Sequence, residues 1–419
     1  MVDPLIYQEL NKVFKNISSA VERNSDETVS AEEVISELTN DGGGIEVIGD
    51  DFSPQYENIM DIKERVSDKY NYACGLDGST TRDLTYNNGL ILGASTAGVA
   101  IANREKVDEK NSRGTVSVFA YFDDSDLDIE QEYESKNNTK VYVKQYPRAK
   151  YLHSDLSKWV ADLSRSYAEG KHFEWYSNSR DNEPFFVDGP LIPADILTWC
   201  LYDQEGIERR SPVNDWPDMI EEILQSYING IENCIKQKTP LFGVQKTTTA
   251  TRVLDALREK SDLSRADIRW QNDADLFNDA LKPDRKNGNV IAYTPWYVEN
   301  DIILNDSKRV VPLQNYDKVT LSHGSAEEYV RAFFYAKPPN KKTVYRIGVP
   351  QMLFDRGLEP DTLRDIALNE MNFQFSEPLP IVLADEKVRI DRNIRSKLEN
   401  IIKSEIHNNH NEQRGYKGD

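Results

Sequence analysis

Tyr72-Ala73-Cys74-Gly75-Leu76-Asp77-Gly78-Ser79-Thr80-Thr81 joins a short apolar run to a carboxylate and then to a glycine-hydroxyl turn. Residues 72–76 are long enough only for a buried strand, and Gly78 with Ser79 supplies turn chemistry just after the acid. Pro184-Phe185-Phe186-Val187-Asp188-Gly189-Pro190-Leu191 repeats the pattern, with an aromatic and β-branched run delivering Asp-Gly at its end. In sheets with crossover helices, ligands collect beyond the carboxyl ends of the strands, so Asp77 and Asp188 are expected to converge. Hard cations such as Mg²⁺ and Mn²⁺ take oxygen ligands, one or two of them carboxylates, beside waters and substrate phosphates. An ordinary turn explains either Asp-Gly alone. The pair points to a metal site.

The chain of 419 residues is 38% hydrophobic and 29% charged and has no apolar run long enough to span a bilayer. It reads as a globular protein with no membrane span, one elaborated domain with insertions fitting as well as two. Met1-Val2-Asp3-Pro4 lacks the basic-then-apolar pattern of a signal peptide, so a cytoplasmic location is expected. Cys74, Cys200 and Cys234 are odd in number and widely separated, which suits reduced buried thiols and excludes a zinc-ligand spacing.

A net charge of −20 argues against autonomous nucleic-acid binding, because phosphate contact relies on Lys and Arg. It also fits a high-salt cytoplasm. The charge is uneven, however. Acids crowd residues 123–132, whereas Lys140, Lys144, Arg148, Lys150 and Lys158 form one basic stretch and Lys337, Lys341, Lys342 and Arg346 another. Tyr142, Tyr146 and Tyr151 interleave the first, and Phe333, Phe334, Tyr335 and Tyr345 the second. Basic grooves with interleaved aromatics suit single-stranded nucleic acid, while a solvated strand with an aromatic core face explains the same pattern.

Helical spacing of Leu5, Leu10, Val13, Phe14, Ile17 and Val21 predicts a helix over 4–22. Ser30 and Glu33 form a capping box for the next one. With a turn at 40–44 and a third helix over 55–70, residues 1–70 read as a helical lead-in. A hairpin over 84–92 and strands over 94–102 and 115–122 then make an antiparallel meander after the Asp77 strand. That is the opening of a ribonuclease H-like fold, by analogy. A strand over 139–143 and a helix over 154–169 follow. This helix carries Asp155, Asp162 and Glu169 seven apart, near one face, so that one of them is placed to reach a metal.

Helices are expected over 193–202 and 218–236. Leu241-Phe242-Gly243-Val244-Gln245-Lys246 is a third strand, ending in a lysine suited to a phosphate. Residues 259–320 read as loops and an insertion, with a polar bridge at 282–289. Strands over 329–335 and 343–349 and a helix over 361–372 come next. Residues 377–390 lead into a helix carrying Ile394, Leu398, Ile401 and Ile402, with Asp385 at its start, and residues 404–419 form a polar tail.

Asp77-Gly78-Ser79, Phe186-Val187-Asp188-Gly189-Pro190-Leu191, Gly243-Val244-Gln245-Lys246, Tyr345-Arg346-Ile347-Gly348-Val349-Pro350 and Leu379-Pro380-Ile381-Val382-Leu383-Ala384-Asp385 occur in the order seen in NurA nucleases. The sequence resembles that family over about 72–403. The resemblance implies an α/β fold with a ribonuclease H-like core: a mixed sheet with an antiparallel meander flanked by helices, here with an N-terminal helical region and insertions. It implies Mn²⁺-dependent (or Mg²⁺-dependent) degradation of single- and double-stranded DNA with 5′-to-3′ polarity. It also implies a homodimer and docking on a HerA-type hexameric ATPase in DNA end resection. Residue by residue, Asp77 and Asp188 become metal-binding acids and Lys246 stabilises charge at the scissile phosphate. Glu169 is the helix-borne acid by its distance from Asp188, with Asp162 the alternative if 177–183 is an insertion. Asp385 stands where many members are expected to carry a histidine; a carboxylate still binds metal but is a poorer proton donor at neutral pH.

Two rivals remain. Leu76-Asp77-Gly78-Ser79-Thr80 is compatible with the first phosphate loop of actin-like ATPases and sugar kinases, but Pro190 cannot donate the amide hydrogen that a second phosphate loop needs. A catalytically weak subunit that docks on the ATPase is the other.

Overall fold

The computed structural model describes residues 12–15, 29–38, 45–49, 53–81, 84–86, 88–103, 114–122, 128–135, 138–149, 155–178, 183–204, 212–246, 250–260, 268–282, 289–299, 318–323, 329, 331–339, 341–371, 377–390, 396–397, 400 and 404. Strands are β1 (Ile45–Ile48), β2 (Gln55–Asn58), β3 (Tyr72–Thr80), β4 (Leu84–Thr85), β5 (Ile91–Asn103), β6 (Gly114–Tyr121) and β7 (Gln131–Glu134). They continue as β8 (Thr139–Tyr146), β9 (Phe185–Asp188), β10 (Leu241–Gln245), β11 (Val290–Tyr293), β12 (Trp296–Glu299), β13 (Arg331–Lys337) and β14 (Tyr345–Pro350). The helices that matter here are α1 (Ala31–Ser36), α2 (Ile59–Val66), α3 (Leu156–Ser177), α4 (Ala194–Gln204) and α5 (Pro217–Gln237). After them come α6 (Arg252–Lys260), α7 (Asp273–Ala280), α8 (Pro360–Glu370) and α9 (Leu379–Val388).

All these strands join one mixed sheet in the order β1-β12-β13-β14-β10-β9-β3-β5-β6-β8-β7, with β4 on β5 and β11 between β13 and β2. β3, β5 and β6 form an antiparallel meander, and β9 and β10 run parallel to β3. The ends of β3 and β9 that carry Asp77 and Asp188 therefore lie side by side. Side chains alternate across a strand. A Cβ at Gly75 would meet the backbone of Pro380 in α9, whereas one at Gly78 would meet Glu169 in α3, so the two helices cover opposite faces of β3. Gly189 follows Asp188 at φ 102°, a conformation that glycine enters freely and that turns the chain just past the acid.

The main core fills both faces of the sheet: Phe173 of α3 stacks 5.3 Å from Phe185 on one, and Phe186, the next residue of β9, stacks 4.7 Å from Phe242 on the other. A second core is built by α1, β1, α6, α7 and the Tyr297, Phe333 and Tyr335 side chains of β12 and β13.

The Ser30–Glu33 capping box forms as expected, Glu33 N donating to Ser30 Oγ at 3.2 Å and Ser30 N to Glu33 Oε2 at 2.8 Å. Other expectations are corrected. Residues 55–58 are strand, paired to β11, and Asn58 then caps α2 by accepting from Met60 N at 2.9 Å. The helical period of Ile59, Ile62 and Val66 is real but begins only after that cap. Residues 1–70 are thus more than a helical lead-in, because β1 and β2 belong to the sheet. Of the helix expected over 4–22, residues 12–15 are helical and the rest lies outside the described residues.

Residues 259–320 contain α7, β11 and β12 rather than only loops, each too short to announce itself by periodicity. The polar bridge lies mostly outside the described residues. α3 runs to Ser177, beyond Glu169, because Phe173 and Tyr176 pack on β9. Asp385 is the seventh residue of α9 rather than a helix start, since the helix begins at Leu379. The helix expected over 394–402 is described only at 396–397 and 400, and the tail only at 404.

Asp273 ties the second core together. Its fully buried carboxylate accepts from Val253 N at 3.1 Å and Leu254 N at 3.0 Å, in the first turn of α6, and from the Tyr335 hydroxyl at 3.1 Å. An acid at a helix N-terminus satisfies amides that have no partner inside the helix. Asp273→Ala leaves three buried donors unsatisfied, and we expect a loss of about 2–4 kcal/mol in urea unfolding. An unchanged midpoint would show that the second core holds without this carboxylate.

Candidate functional site

The sheet delivers Asp77 and Asp188 from adjacent strand ends, and they line a cavity of about 600 Å³ together with Asp162, Arg165, Glu169, Trp199, Tyr227, Lys246, Arg252 and Arg346. Asp77 is buried, and its Oδ1 accepts from Gly78 N at 2.7 Å. Burial pushes its carboxyl up to about 7, and the charges of Asp188 and Glu169 add to the shift. Asp188 is also raised, by burial first, with Lys246 opposing.

Lys246 Nζ lies 3.1 Å from Asp188 Oδ2 and 2.9 Å from Glu377 Oε2. Burial works against its charge, yet Asp188 and Glu377 together hold it above the ordinary lysine range.

Glu169 comes from α3. The Tyr227 hydroxyl of α5 donates to Glu169 Oε2 at 2.9 Å, and Arg165 Nε sits 3.7 Å from Oε1, one helical turn away. Burial raises Glu169, while Arg165 and Tyr227 oppose that rise. Its side chain lies over Gly78, a position open only because Gly78 has no Cβ.

Glu169 and Asp162 both line the cavity, but only Glu169 lies against the Asp77 strand end, and its charge helps to raise Asp77. Asp155, the remaining acid of the heptad series, is the N-cap position of α3 and exposed. Asp385 is exposed on α9 and does not line the cavity, although its charge still raises Asp77 and Asp188.

Among the basic residues, Arg346 lines the cavity. It is buried on β14 with its guanidinium 3.9 Å from the Phe333 ring centre. Lys144 is engaged elsewhere, 3.3 Å from Glu222 and over the Tyr167 ring. Arg148, Lys341 and Lys342 are exposed and away from the cavity lining, and Lys150 lies outside the described residues. The interleaved aromatics are core: Tyr142, Tyr146, Phe333, Phe334, Tyr335 and Tyr345 are buried, which overturns their role as stacking platforms. All three cysteines are buried free thiols.

Glu377, Arg165, Tyr227, Trp199 and Arg252 escaped the sequence. Arg165 was findable as the i−4 neighbour of Glu169 on one helix face. Tyr227 was not, because its contact joins two helices 58 residues apart.

The arrangement is a pocket of buried acids, one of them bridged by an ammonium, with arginines around it. Among the described residues, no three acidic, histidine or cysteine groups already form a metal cage, and no helix is long and apolar enough to cross a membrane. The donor set nonetheless fits a hard cation, which needs only one or two protein carboxylates when waters and phosphate fill the rest.

The sequence pattern of the NurA domain matches residues 73–390, well over half of the chain. The crystal structure of the NurA nuclease from Sulfolobus solfataricus superposes with a TM-score of 0.54 at 12% identity, covering 97% of this chain and 98% of that one, and so shares its fold. A second NurA crystal structure aligns at 0.46 and 10% identity, covering 96% and 97%. A NurA structure with manganese aligns at 0.43 and 11%, covering 95% and 98%. No curated protein matches the sequence.

A free carboxylate pushed up to about 7 destabilises the fold in a defined pH window. Unfolded, Asp77 titrates near 4, so between about pH 4 and 7 the native state holds the extra proton and stability falls as pH rises. We expect Asp77→Asn, in chelator, to gain in melting temperature over wild type progressively across that window and to level off above it. A difference independent of pH would show that this carboxylate is not held against its neighbours.

Proposed function

This chain belongs to the NurA family, and on that premise we propose that it is a divalent-metal-dependent nuclease that hydrolyses DNA phosphodiesters. The observation that carries the proposal is the convergence of Asp77, Asp188 and Glu169 on one cavity, each pushed toward its neutral form by burial. Buried acids crowded in a cleft are unfavourable for folding alone and are typical of sites that await a cation. The strand order β6-β5-β3-β9-β10, with an antiparallel meander first and parallel strands after, supports a ribonuclease H-like core.

Asp77 and Asp188 would hold the ion, Mn²⁺ or Mg²⁺, and Glu169 rather than Asp162 would complete the acidic side. Held there, the ion would supply Lewis-acid chemistry to a phosphoryl oxygen and an activated water at neutral pH. Tyr227 and Arg165 keep Glu169 over Gly78. Lys246 offers its charge to the negative phosphoryl oxygens. Asp385 adds negative charge from the α9 side. Arg252, Arg346 and Trp199 in the same lining suit a DNA strand entering by phosphate contact and base stacking. Arg148, Lys341 and Lys342 are exposed, and the proposal assigns them to more distant DNA.

A net charge of −20 gives poor long-range steering toward DNA, which supports delivery by a motor. Resemblance to NurA nucleases further implies a HerA-type hexameric ATPase partner, a homodimer and 5′-to-3′ action in DNA end resection, and the proposal includes them.

The test is a Mn²⁺ and Mg²⁺ titration of cleavage on end-labelled single- and double-stranded DNA, with and without the ATPase. Chelator should abolish cleavage, and Asp77→Asn and Asp188→Asn should each lower it by about 10²–10³-fold. Cleavage that survives chelator or both substitutions would overturn the assignment. Binding to the ATPase without any cleavage would instead make this a docking subunit.

A further inference from the structure

Lys246 bridges Asp188 and Glu377 with contacts of 3.1 Å and 2.9 Å, so its one positive charge serves two acids at once. Asp188 is also the acid to which a divalent cation is assigned, and Lys246 lines the cavity beside it, whereas Glu377 does not. Two cations therefore compete for one carboxylate. Two positive charges held on one partly buried carboxylate repel each other.

The lysine has somewhere to go. Its side chain is flexible, so the ammonium can leave Asp188 and keep Glu377 with no backbone movement. Glu377 lies two residues before α9, and α9 is pressed so closely on β3 that Gly75 has no room for a Cβ against Pro380. The resting place of the ammonium is thus fixed to the strand that carries Asp77.

We propose that Lys246 is a built-in competitor of the metal ion: it neutralises Asp188 in the metal-free protein and withdraws onto Glu377 when a divalent cation binds. Glu377 is the positioning residue of this exchange, holding Lys246 beside the cavity where a substrate phosphate arrives. The inference rests on the metal-dependent nuclease reading of the same site, and it explains why an acid destined for a metal is already paired.

Direct Mn²⁺ binding to the chelator-stripped full chain, by calorimetry, tests it without reference to cleavage. Lys246→Met should bind Mn²⁺ about tenfold more tightly than wild type although it cleaves DNA more slowly. Lys246→Gln, which keeps a polar side chain in this half-buried place, should do the same. Glu377→Gln should bind Mn²⁺ several-fold more weakly, because all the ammonium then falls to Asp188.

In the Lys246→Met background, Glu377→Gln should have no further effect, since its influence passes through the lysine. Unchanged or weaker binding in both Lys246 variants, each melting as wild type does, would overturn the competition. A Glu377→Gln loss that persists undiminished without Lys246 would make Glu377 a direct ligand and overturn its positioning role. If neither wild type nor any variant binds Mn²⁺ and chelator leaves cleavage intact, it is the metal-dependent reading itself that fails.

Discussion

β3 has no side chain at the two places where helices cross it. At Gly75 the space a Cβ would need is filled by the backbone of Pro380, and at Gly78 by the side chain of Glu169. α9 and α3 therefore approach the strand closely from opposite faces, and Asp77 sits between those two crossings. The parallel strands bring Asp188 and Lys246 beside it, and the helices supply the rest. Their close approach brings Glu169 to the end of a strand that lies some ninety residues earlier in the chain, and it anchors the segment that carries Glu377 and Asp385.

The charges gathered there work against folding. Asp77, Asp188 and Glu169 are each held above the usual carboxylate range, with burial the largest cause in every case. Lys246 and Arg165 relieve two of the three, while at Asp77 it is the Gly78 amide, among the described residues, that opposes the rise. An apolar core of the same volume would be more stable, so such acids persist where they serve a function. The contrast with Asp273 is instructive. That carboxylate is fully buried and burial raises it too, to about 6, but two helix amides and a hydroxyl satisfy it and oppose the rise.

Legibility in the sequence tracked the range over which each signal acts. The capping box at Ser30 and Glu33, the strands ending at Asp77, Asp188 and Lys246, and the meander after Asp77 were all readable, because turn chemistry and period-two patterns are local. The 55–58 strand was missed because four residues ahead of a real helical period read as part of it. The strands over 290–299 were missed because short strands derive their stability from partners, here β2, β1 and β13. The basic-aromatic stretches misled for the opposite reason. Tyr142 and Tyr146 alternate onto one face of β8, while Phe333, Phe334 and Tyr335 run consecutively and fill both faces of β13, but all of them are core, and composition does not say which face meets solvent.

The sequence by itself determined that two acids stand at strand ends, that a lysine ends a third strand, and that one helix carries further acids at a seven-residue spacing. These are statements about single elements, and hydrogen-bonding period and turn chemistry suffice to make them. Only the tertiary structure decided which acids meet. It selected Glu169 to lie over Gly78, brought Tyr227 and Arg165 to hold it, left Asp385 exposed on α9, and joined Lys246 to Glu377. Those choices depend on how closely helices pack on a strand that has two glycines. That is a property of the packed sheet, and no segment expresses it alone.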